Sequence, residues 1–314
     1  MNKKIFVYGV NGFIGSTLKK YLIQNKCEVL NYKVNTKILH GRHNYTKFWK
    51  NVIKRSKIIV YASFNNDLSS LKKNINSSLL ETLLPLYTLT EVVKNNKNKI
   101  KIIYLSSASI YGDKKKLPVN EKADTQITNI YDMLKILSEQ ILINSKISNL
   151  NYCILRLANV YGENISNLNQ KNRQILSKII RLAIKDKYIN IYGHGKYYRD
   201  YIHIKDVCDV INKSIRSKKS HNQIFNIGSG RKVRLIWLFK HIKKILKIKY
   251  GYIIKINKIQ IKNNSINNSR NYQSSIAKAL KYLNWKPSIS LETGIYNLID
   301  FIYYKILKNK KFNK

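Results

Sequence analysis

Near the start of the chain an apolar run, KIFVY (residues 4–8), meets a turn with glycines at positions 9, 12 and 15. The stretch FIGSTLKKYLIQ (13–24) follows with apolar residues at helical spacing. This order constrains the fold more than any other feature. A strand must end where the glycines begin, and a helix must start before they finish. In such a strand–turn–helix unit the first glycine permits the tight bend and the second admits a pyrophosphate to the backbone. The third lets the helix pack close to the strand. A phosphate then rests on the helix N-terminus, where free N–H groups and the helix dipole favour an anion. Gly9, Gly12 and Gly15, with Phe13 and Ile14 between them, are therefore the candidate nucleotide-binding residues. The competing reading is a glycine loop that merely precedes a helix.

The stretches that follow alternate in the same way. CEVLNY (27–32), KIIVYAS (57–63), KIIYLSS (101–107) and NYCILRLANVYG (151–162) read as strands. Residues 45–54, 77–94 and 129–144 read as helices, the second broken at Pro85. Strands rich in Ile and Val, alternating with helices, predict βαβ units and a Rossmann-type, doubly wound parallel sheet of the α/β class. The second half is less regular. Residues 173–186 and 233–246 and a segment after Pro287 read as helices, 188–193 and 201–204 as strands, and KNNSINNSRN (262–271) as a polar stretch. This predicts a smaller C-terminal α/β domain packed on the sheet.

Composition bounds the class. The 314 residues are 44% hydrophobic, enough for a large core, and hold no apolar run long enough to cross a membrane. The N-terminal MNKK leads straight into the glycine turn without the apolar region of a signal peptide. Cys27, Cys153 and Cys208 are scattered among apolar neighbours, which suits buried thiols in a reducing compartment. The six histidines show no H-E-x-x-H spacing, so no metal site is expected. These readings point to the cytoplasm. The net charge of +43 suggests nucleic-acid or membrane-surface binding on its face. The lysines are spread along the whole chain, however. Lys, Asn, Ile and Tyr are abundant while Gly (12) and Pro (3) are scarce, the pattern of an AT-rich genome. Composition drift is the preferred reading, and a non-catalytic or RNA-binding protein on this fold is the alternative from another class.

Two further segments carry chemistry. NIYDMLK places Tyr131 and Lys135 four residues apart on one helix face. An ammonium beside a phenol stabilises phenolate and is expected to lower the tyrosine's pKa toward neutrality. The tyrosine could then exchange a proton with a hydroxyl while hydride moves to or from a nicotinamide. IIYLSSASIYG (102–112) runs a buried strand into serines at its C-terminal end, where doubly wound sheets place ligands. Ser107 there could hydrogen-bond the reacting oxygen, or the serines could simply turn the strand end.

With these segments on the page, the chain resembles the extended short-chain dehydrogenases/reductases, specifically the NAD-dependent epimerase/dehydratase family acting on nucleotide sugars. The G-x-x-G-x-x-G turn, the S-x-x-x-Y-G strand end and Y-x-x-x-K occur in family order. ILRLANVYG, INIYGHGKYYRDYIHIKDV, FNIGSG and LNWKPSISLETGI resemble later family segments, so the likeness spans nearly the whole chain. The resemblance implies a catalytic set of Ser107, Tyr131 and Lys135. It implies that Gly9, Gly12, Phe13, Ile14 and Gly15 hold the cofactor pyrophosphate and that Ala62 and Ser63 lie along the cofactor. Asn159 and Arg199 would hold the diphosphate of a nucleotide sugar. A guanidinium fork suits phosphate oxygens, while the plainer role for Arg199 is a salt bridge to Asp200 or Asp206. The family resemblance also implies a homodimer, and residues 77–94 and 129–144 are apolar enough to supply its face. The expected domains are 1–160 for NAD(P), with 200–228 returning to it, and 161–199 with 229–314 for the nucleotide sugar.

Departures from the family pattern narrow the reading. Lys33 stands where NAD-binding members carry an acid, which favours NADP over NAD. HNYTK (43–47) lacks an aspartate often placed near adenine, and Leu134 replaces the small residue before the lysine. Arg270 is the candidate for a second substrate arginine. The dehydratase branch places acids directly after the catalytic Ser/Thr, whereas here Ala108 and Ser109 follow Ser107. That disfavours dehydration. A nucleotide-sugar 4-epimerase of the UDP-glucose 4-epimerase type, oxidising C4 transiently, is the favoured activity. An NADPH-dependent reductase of 4-keto-6-deoxysugar nucleotides is the alternative.

Overall fold

The computed structural model describes residues 4–31, 41–65, 67–163, 175–193, 195–260 and 270–311. Lys33 and most of the polar stretch 262–271 lie outside them. The first half alternates as its apolar pattern requires. Ile5–Tyr8 (β1), Phe13–Gln24 (α1), Gly41–Arg55 (α2), Ile58–Tyr61 (β2), Leu68–Lys73 (α3) and Ile75–Lys94 (α4) come first. Ile100–Ser107 (β3), Ile130–Ile143 (α5) and Leu150–Leu157 (β4) follow. Residues of the continuous apolar strands are buried on both faces, which is why they do not alternate in hydropathy.

The remainder builds a second layer. It contains Asn159–Tyr161 (β5), Ile175–Asp186 (α6), Tyr188–Tyr192 (β6), Tyr198–Arg199 (β7), Tyr201–His203 (β8) and Ile204–Arg216 (α7). Gln223–Ile227 (β9), Val233–Arg234 (β10), Leu235–Tyr250 (α8), Lys255–Ile259 (β11), Ala277–Leu283 (α9) and Leu291–Lys311 (α10) complete it. The main sheet runs β1-β2-β3-β4-β9, all parallel. One face packs Leu18 and Leu22 of α1 and Val207 and Ile211 of α7. The other packs Phe48, Trp49 and Val52 of α2 and Leu86 and Leu89 of α4. A separate core joins α6, α8 and α10 around Ile180, Ile242 and Ile299. The chain is thus a doubly wound α/β sheet carrying a smaller C-terminal layer, while α7 and β9 return to the sheet.

Four elements differ from the expectation. The predicted strand 27–32 is, among the described residues, one bridge between Ile5 and Val29, held by Ile5 N–H to Glu28 O and Leu30 N–H to Ile5 O at 2.8 Å each. Pro85 does not break its helix. It lies buried inside α4, and its carbonyl accepts the Trp49 indole N–H at 2.8 Å. The carbonyl that loses its donor belongs to exposed Glu81, where water can reach it. Helix α7 and strand β9 have no counterpart in the hydropathy reading, because their apolar residues are interrupted by charged and amide side chains.

The three strand ends nearest the glycine turn carry tyrosines in register: Tyr8 beside Tyr61, and Tyr61 beside Tyr104. Ring centroids lie 4.9 and 5.8 Å apart, and Trp49 stacks on Tyr61 at 6.3 Å. Among the described residues no helix is long and apolar enough to cross a membrane, and no His/Cys/Asp/Glu cluster could hold a metal ion.

Candidate functional site

The glycine turn closes on itself and on the neighbouring strand. Gly9 has φ +94°, a left-handed conformation that side chains resist. A Cβ built on it would lie 2.6 Å from the Ser63 amide nitrogen. Gly12 donates its N–H to Gly9 O at 3.0 Å. A Cβ on Gly15 would land on the Gly9 carbonyl oxygen, so α1 can cross the strand end this closely only with glycine there. Gly12 is the N-cap of α1 and supplies no side-chain cap. The cap residue thus offers no side-chain acceptor to the first N–H groups of the helix, those of Phe13 and Ile14. Ala62 and Ser63 leave the adjacent strand half-buried beside the turn, with Ala62 N–H on Tyr8 O at 2.8 Å. An uncapped helix start beside bare backbone fits the diphosphate of a dinucleotide.

Ser107 ends β3 two strands away from β1. Its hydroxyl caps a 3₁₀ turn at Ala108–Tyr111 by accepting the Ser109 N–H at 3.2 Å. Helix α5 begins immediately after Asn129, whose side chain accepts the Asp132 N–H at 3.0 Å and caps the helix. Tyr131 lies in the first turn of α5 and Lys135 one turn on, as the four-residue spacing requires. Ser107 lies close enough to Tyr131 to oppose the rise in its pKa, and Lys135 Nζ lies 5.8 Å from the centroid of the Tyr131 ring, so the three candidate groups share one site.

The electrostatics run opposite to the expectation drawn from Y-x-x-x-K. Burial pushes the Tyr131 pKa up to about 12, with the neighbouring Ser107 hydroxyl opposing and Asp132 adding to the rise. Lys135 does not offset this, because its ammonium is engaged elsewhere. It donates to Leu105 O at 2.7 Å and lies 3.7 Å from the centroid of the Phe64 ring, but 5.8 Å from that of Tyr131. Burial pulls the Lys135 pKa down to about 7, with Glu139 opposing. Phe64 also packs edge-on against Tyr131 at 5.1 Å. It escaped the sequence reading, and its only signal is its place directly after Ala62 and Ser63.

A buried polar network backs the site. Glu139, one turn beyond Lys135, accepts from Ser106 Oγ at 2.5 Å, from Arg156 Nε at 3.1 Å and from Arg156 Nη2 at 2.7 Å. Arg156 also donates to the Tyr111 hydroxyl at 2.8 Å, which donates to Asn226 Oδ1 at 2.7 Å. The fork geometry and the extra donors compensate the charge that burial strands.

Asn159 and Arg199 come near each other through the β5–β8 pairing. Both the backbone and side-chain N–H groups of exposed Asn159 donate to the Asp200 carbonyl, at 3.1 and 2.9 Å. Asp200 and Asp206 are occupied otherwise. Asp200 accepts from Ser229 N and Oγ, Gly230 N and Ser274 N, and Asp206 from Ser288 and Ile289. The salt bridge considered for Arg199 is therefore not formed. Burial lowers the Arg199 pKa, Tyr201 opposes, and the Arg270 guanidinium beside it adds to the lowering. Arg270 in turn pairs with Asp132 at 3.1 Å and donates to Ser109 O at 3.0 Å. The fold thus brings Arg199 and Arg270 from distant segments within electrostatic reach of each other, with Arg270 on Asp132 and Ser109.

The model of the NAD dependent epimerase/dehydratase family matches residues 5–228. The dTDP-4-dehydro-6-deoxyglucose reductase of Escherichia coli is 25% identical over 96% of this chain and 98% of its own length. The UDP-glucose 4-epimerase of Mycoplasma genitalium is 31% identical over 45% of this chain and 46% of its own. The crystal structure of a UDP-glucose 4-epimerase from Thermotoga maritima, with UDP-glucose, superposes with a TM-score of 0.81 at 22% identity. It covers 96% of this chain and 99% of that one.

Proposed function

The chain belongs to the NAD dependent epimerase/dehydratase family, and on that premise we propose that it is an NAD(P)-dependent nucleotide-sugar 4-epimerase. The observation that carries the reading is the meeting of Ser107, Tyr131 and Lys135 at the carboxyl end of the sheet, with no acid in the two positions after Ser107. Gly9, Gly12, Phe13, Ile14 and Gly15 would hold the cofactor diphosphate, with Ala62 and Ser63 alongside. A nicotinamide held there supplies a hydride acceptor and donor. Tyr131 would take the proton from the sugar's C4 hydroxyl as the C4 hydride leaves, and give it back to the same oxygen once the sugar has turned and the hydride returns to the opposite face of C4. Ser107 holds the C4 oxygen against Tyr131. Lys135 holds its Nζ between the Leu105 carbonyl and the Phe64 ring, one helix turn from the phenol, and so keeps the packing around Tyr131 in place.

Arg199 and Asn159 face the sugar's diphosphate. In this reading residues 1–160, with 200–228, form the NAD(P) unit, and 161–199 with 229–314 form the nucleotide-sugar unit. The exposed Leu80, Tyr87 and Leu137 on α4 and α5 are the face of a homodimer. The buried thiols of Cys153 and Cys208 support a cytoplasmic enzyme. The reductase alternative draws support from the Escherichia coli relative, which aligns along nearly the full chain. Purified protein incubated with UDP-glucose and NAD, or with a 4-keto-6-deoxysugar nucleotide and NADPH, separates the two. Appearance of the C4 epimer without net cofactor turnover supports the epimerase. NADPH consumption with the keto-sugar alone overturns it. Failure to bind any nicotinamide nucleotide, together with salt-sensitive retention of RNA, favours the non-catalytic alternative.

A further inference from the structure

The aspartate directly after Tyr131 is fully buried, and both its oxygens are occupied. Asp132 Oδ1 accepts from Ser109 Oγ at 2.7 Å. Oδ2 accepts from Thr128 Oγ1 at 2.5 Å and Asn129 Nδ2 at 2.9 Å, and pairs with Arg270 at 3.1 Å. A carboxylate so surrounded by donors is an acceptor only. The single proton of the Ser109 hydroxyl is therefore committed to Asp132. At the 2.9 Å contact between Ser109 Oγ and Ser107 Oγ, Ser109 can then only accept, and Ser107 must donate. Ser107 Oγ also accepts the Ser109 N–H. What remains to Ser107 is one lone pair.

From this geometry we infer that Asp132 is a positioning residue: it fixes Ser107 as a hydrogen-bond acceptor and so tunes the site toward a 4-hydroxy rather than a 4-keto nucleotide sugar. An acceptor suits an alcohol, which brings a proton. It gives nothing to a ketone, which needs a donor. The inference rests on the reading above that Ser107 meets the sugar's C4 oxygen. It also bears on the choice within that reading, since the sugar an epimerase takes up from solution carries a 4-hydroxyl and the one a keto-sugar reductase takes up carries a ketone.

Asp132→Asn reverses the chain. The amide oxygen must turn toward Arg270, Thr128 and Asn129, which are all donors, so the amide N–H₂ faces Ser109. Ser109 then donates to Ser107, and Ser107 donates outward. Ser109→Ala removes the acceptor of the Ser107 proton and leaves the Asp132–Arg270 pair in place. The test measures equilibrium binding of UDP-glucose to the full-length protein holding reduced cofactor, and of UDP-4-keto-6-deoxyglucose to the form holding oxidised cofactor. Neither combination can react. The readout is the ratio of the two dissociation constants in each variant relative to the unaltered protein. Asp132→Asn is expected to move that ratio toward the ketone by about fivefold or more, the size of one hydrogen bond. Ser109→Ala is expected to move it the same way by less. Thr128→Ala, which leaves the Ser109 proton committed, leaves the ratio unchanged. If both variants weaken the two ligands equally, Asp132 is merely structural and the inference is overturned while the functional reading stands. If the unaltered protein binds neither sugar nucleotide, the functional reading falls and takes the inference with it.

Discussion

The ammonium of Lys135 sits 3.7 Å from the centre of the Phe64 ring, held there by the Leu105 carbonyl at 2.7 Å. A ring face and one carbonyl stabilise a cation less than water does, which is why burial pulls the Lys135 pKa down to about 7. Between that value and the ordinary lysine value of 10.5, the unfolded chain holds a proton that the folded chain has released. Stability therefore rises with pH across this window, because the unfolded state binds more protons there. Lys135→Met removes the titrating group. Urea denaturation from pH 6.5 to 9.5 should show a smaller upward slope in Lys135→Met than in the unaltered protein. Equal slopes would place the cation elsewhere.

Tyr131→Phe keeps the edge-on ring contact with Phe64 and deletes only the hydroxyl. Sugar interconversion is expected to fall by a factor on the order of 10² to 10⁴, the contribution of a positioned acid–base group. Binding of UDP-glucose should change little, since Arg199 and Asn159, proposed to hold the diphosphate, are unaltered. An assay of C4 epimer by chromatography, paired with calorimetric binding, separates these two quantities.

Gly15→Ala places a methyl on the Gly9 carbonyl oxygen, and both partners are backbone. The helix must move off the strand end, which costs roughly 1–3 kcal/mol as overpacking does. The same shift displaces the N–H groups of Phe13 and Ile14. Thermal melts with and without NAD check both effects. The variant should melt lower, and NAD should raise its midpoint less than it raises that of the unaltered protein.

Arg156→Met leaves the Glu139 carboxylate buried with only Ser106 and the nearby Lys135 to answer it. Removing one member of a buried pair destabilises by about 3–5 kcal/mol. Converting both, Arg156→Met with Glu139→Met, should recover much of the loss. A double-mutant cycle in denaturant measures the difference. If the double variant is no more stable than Arg156→Met alone, the pair is not the source of the loss.

Leu80→Lys and Leu137→Lys alter exposed apolar positions on α4 and α5 that touch no catalytic group. Sedimentation at micromolar concentration is expected to show a dimer for the unaltered chain and a monomer for the double variant. A chain that sediments as a monomer from the outset removes these two helices as a partner face.

The parts of this architecture that the sequence displays are those written at short range. The glycine turn is legible because three residue identities and two flanking periodicities agree within two dozen positions. Ser107, Tyr131 and Lys135 are legible for the same reason: a strand end and one helix turn are local objects. The pKa of Tyr131 is not, because its sign depends on whether burial or the neighbouring ammonium dominates. Lys135 spends its donor on Leu105, so burial prevails. Phe64 stands above the lysine only because β2 and β3 are neighbours in the sheet. The Asp132–Arg270 pair joins residues that no spacing rule connects. Pro85 reads as a break because propensity assigns it one, whereas Trp49 and the packing of α2 hold α4 continuous across it.

The row of Tyr8, Tyr61 and Tyr104 has an optical consequence. Trp49 lies fully buried among them, 5.1 Å from the ring of Tyr8 and 6.3 Å from that of Tyr61. Light absorbed by these phenols passes to the indole across such short gaps, so their excitation emerges as emission from one residue. Tyr8 immediately precedes Gly9, in the turn proposed to hold the cofactor diphosphate. A nucleotide bound at that turn would alter the surroundings of Tyr8, so a change in Trp49 emission on adding NAD or NADP is the expected optical sign of occupancy.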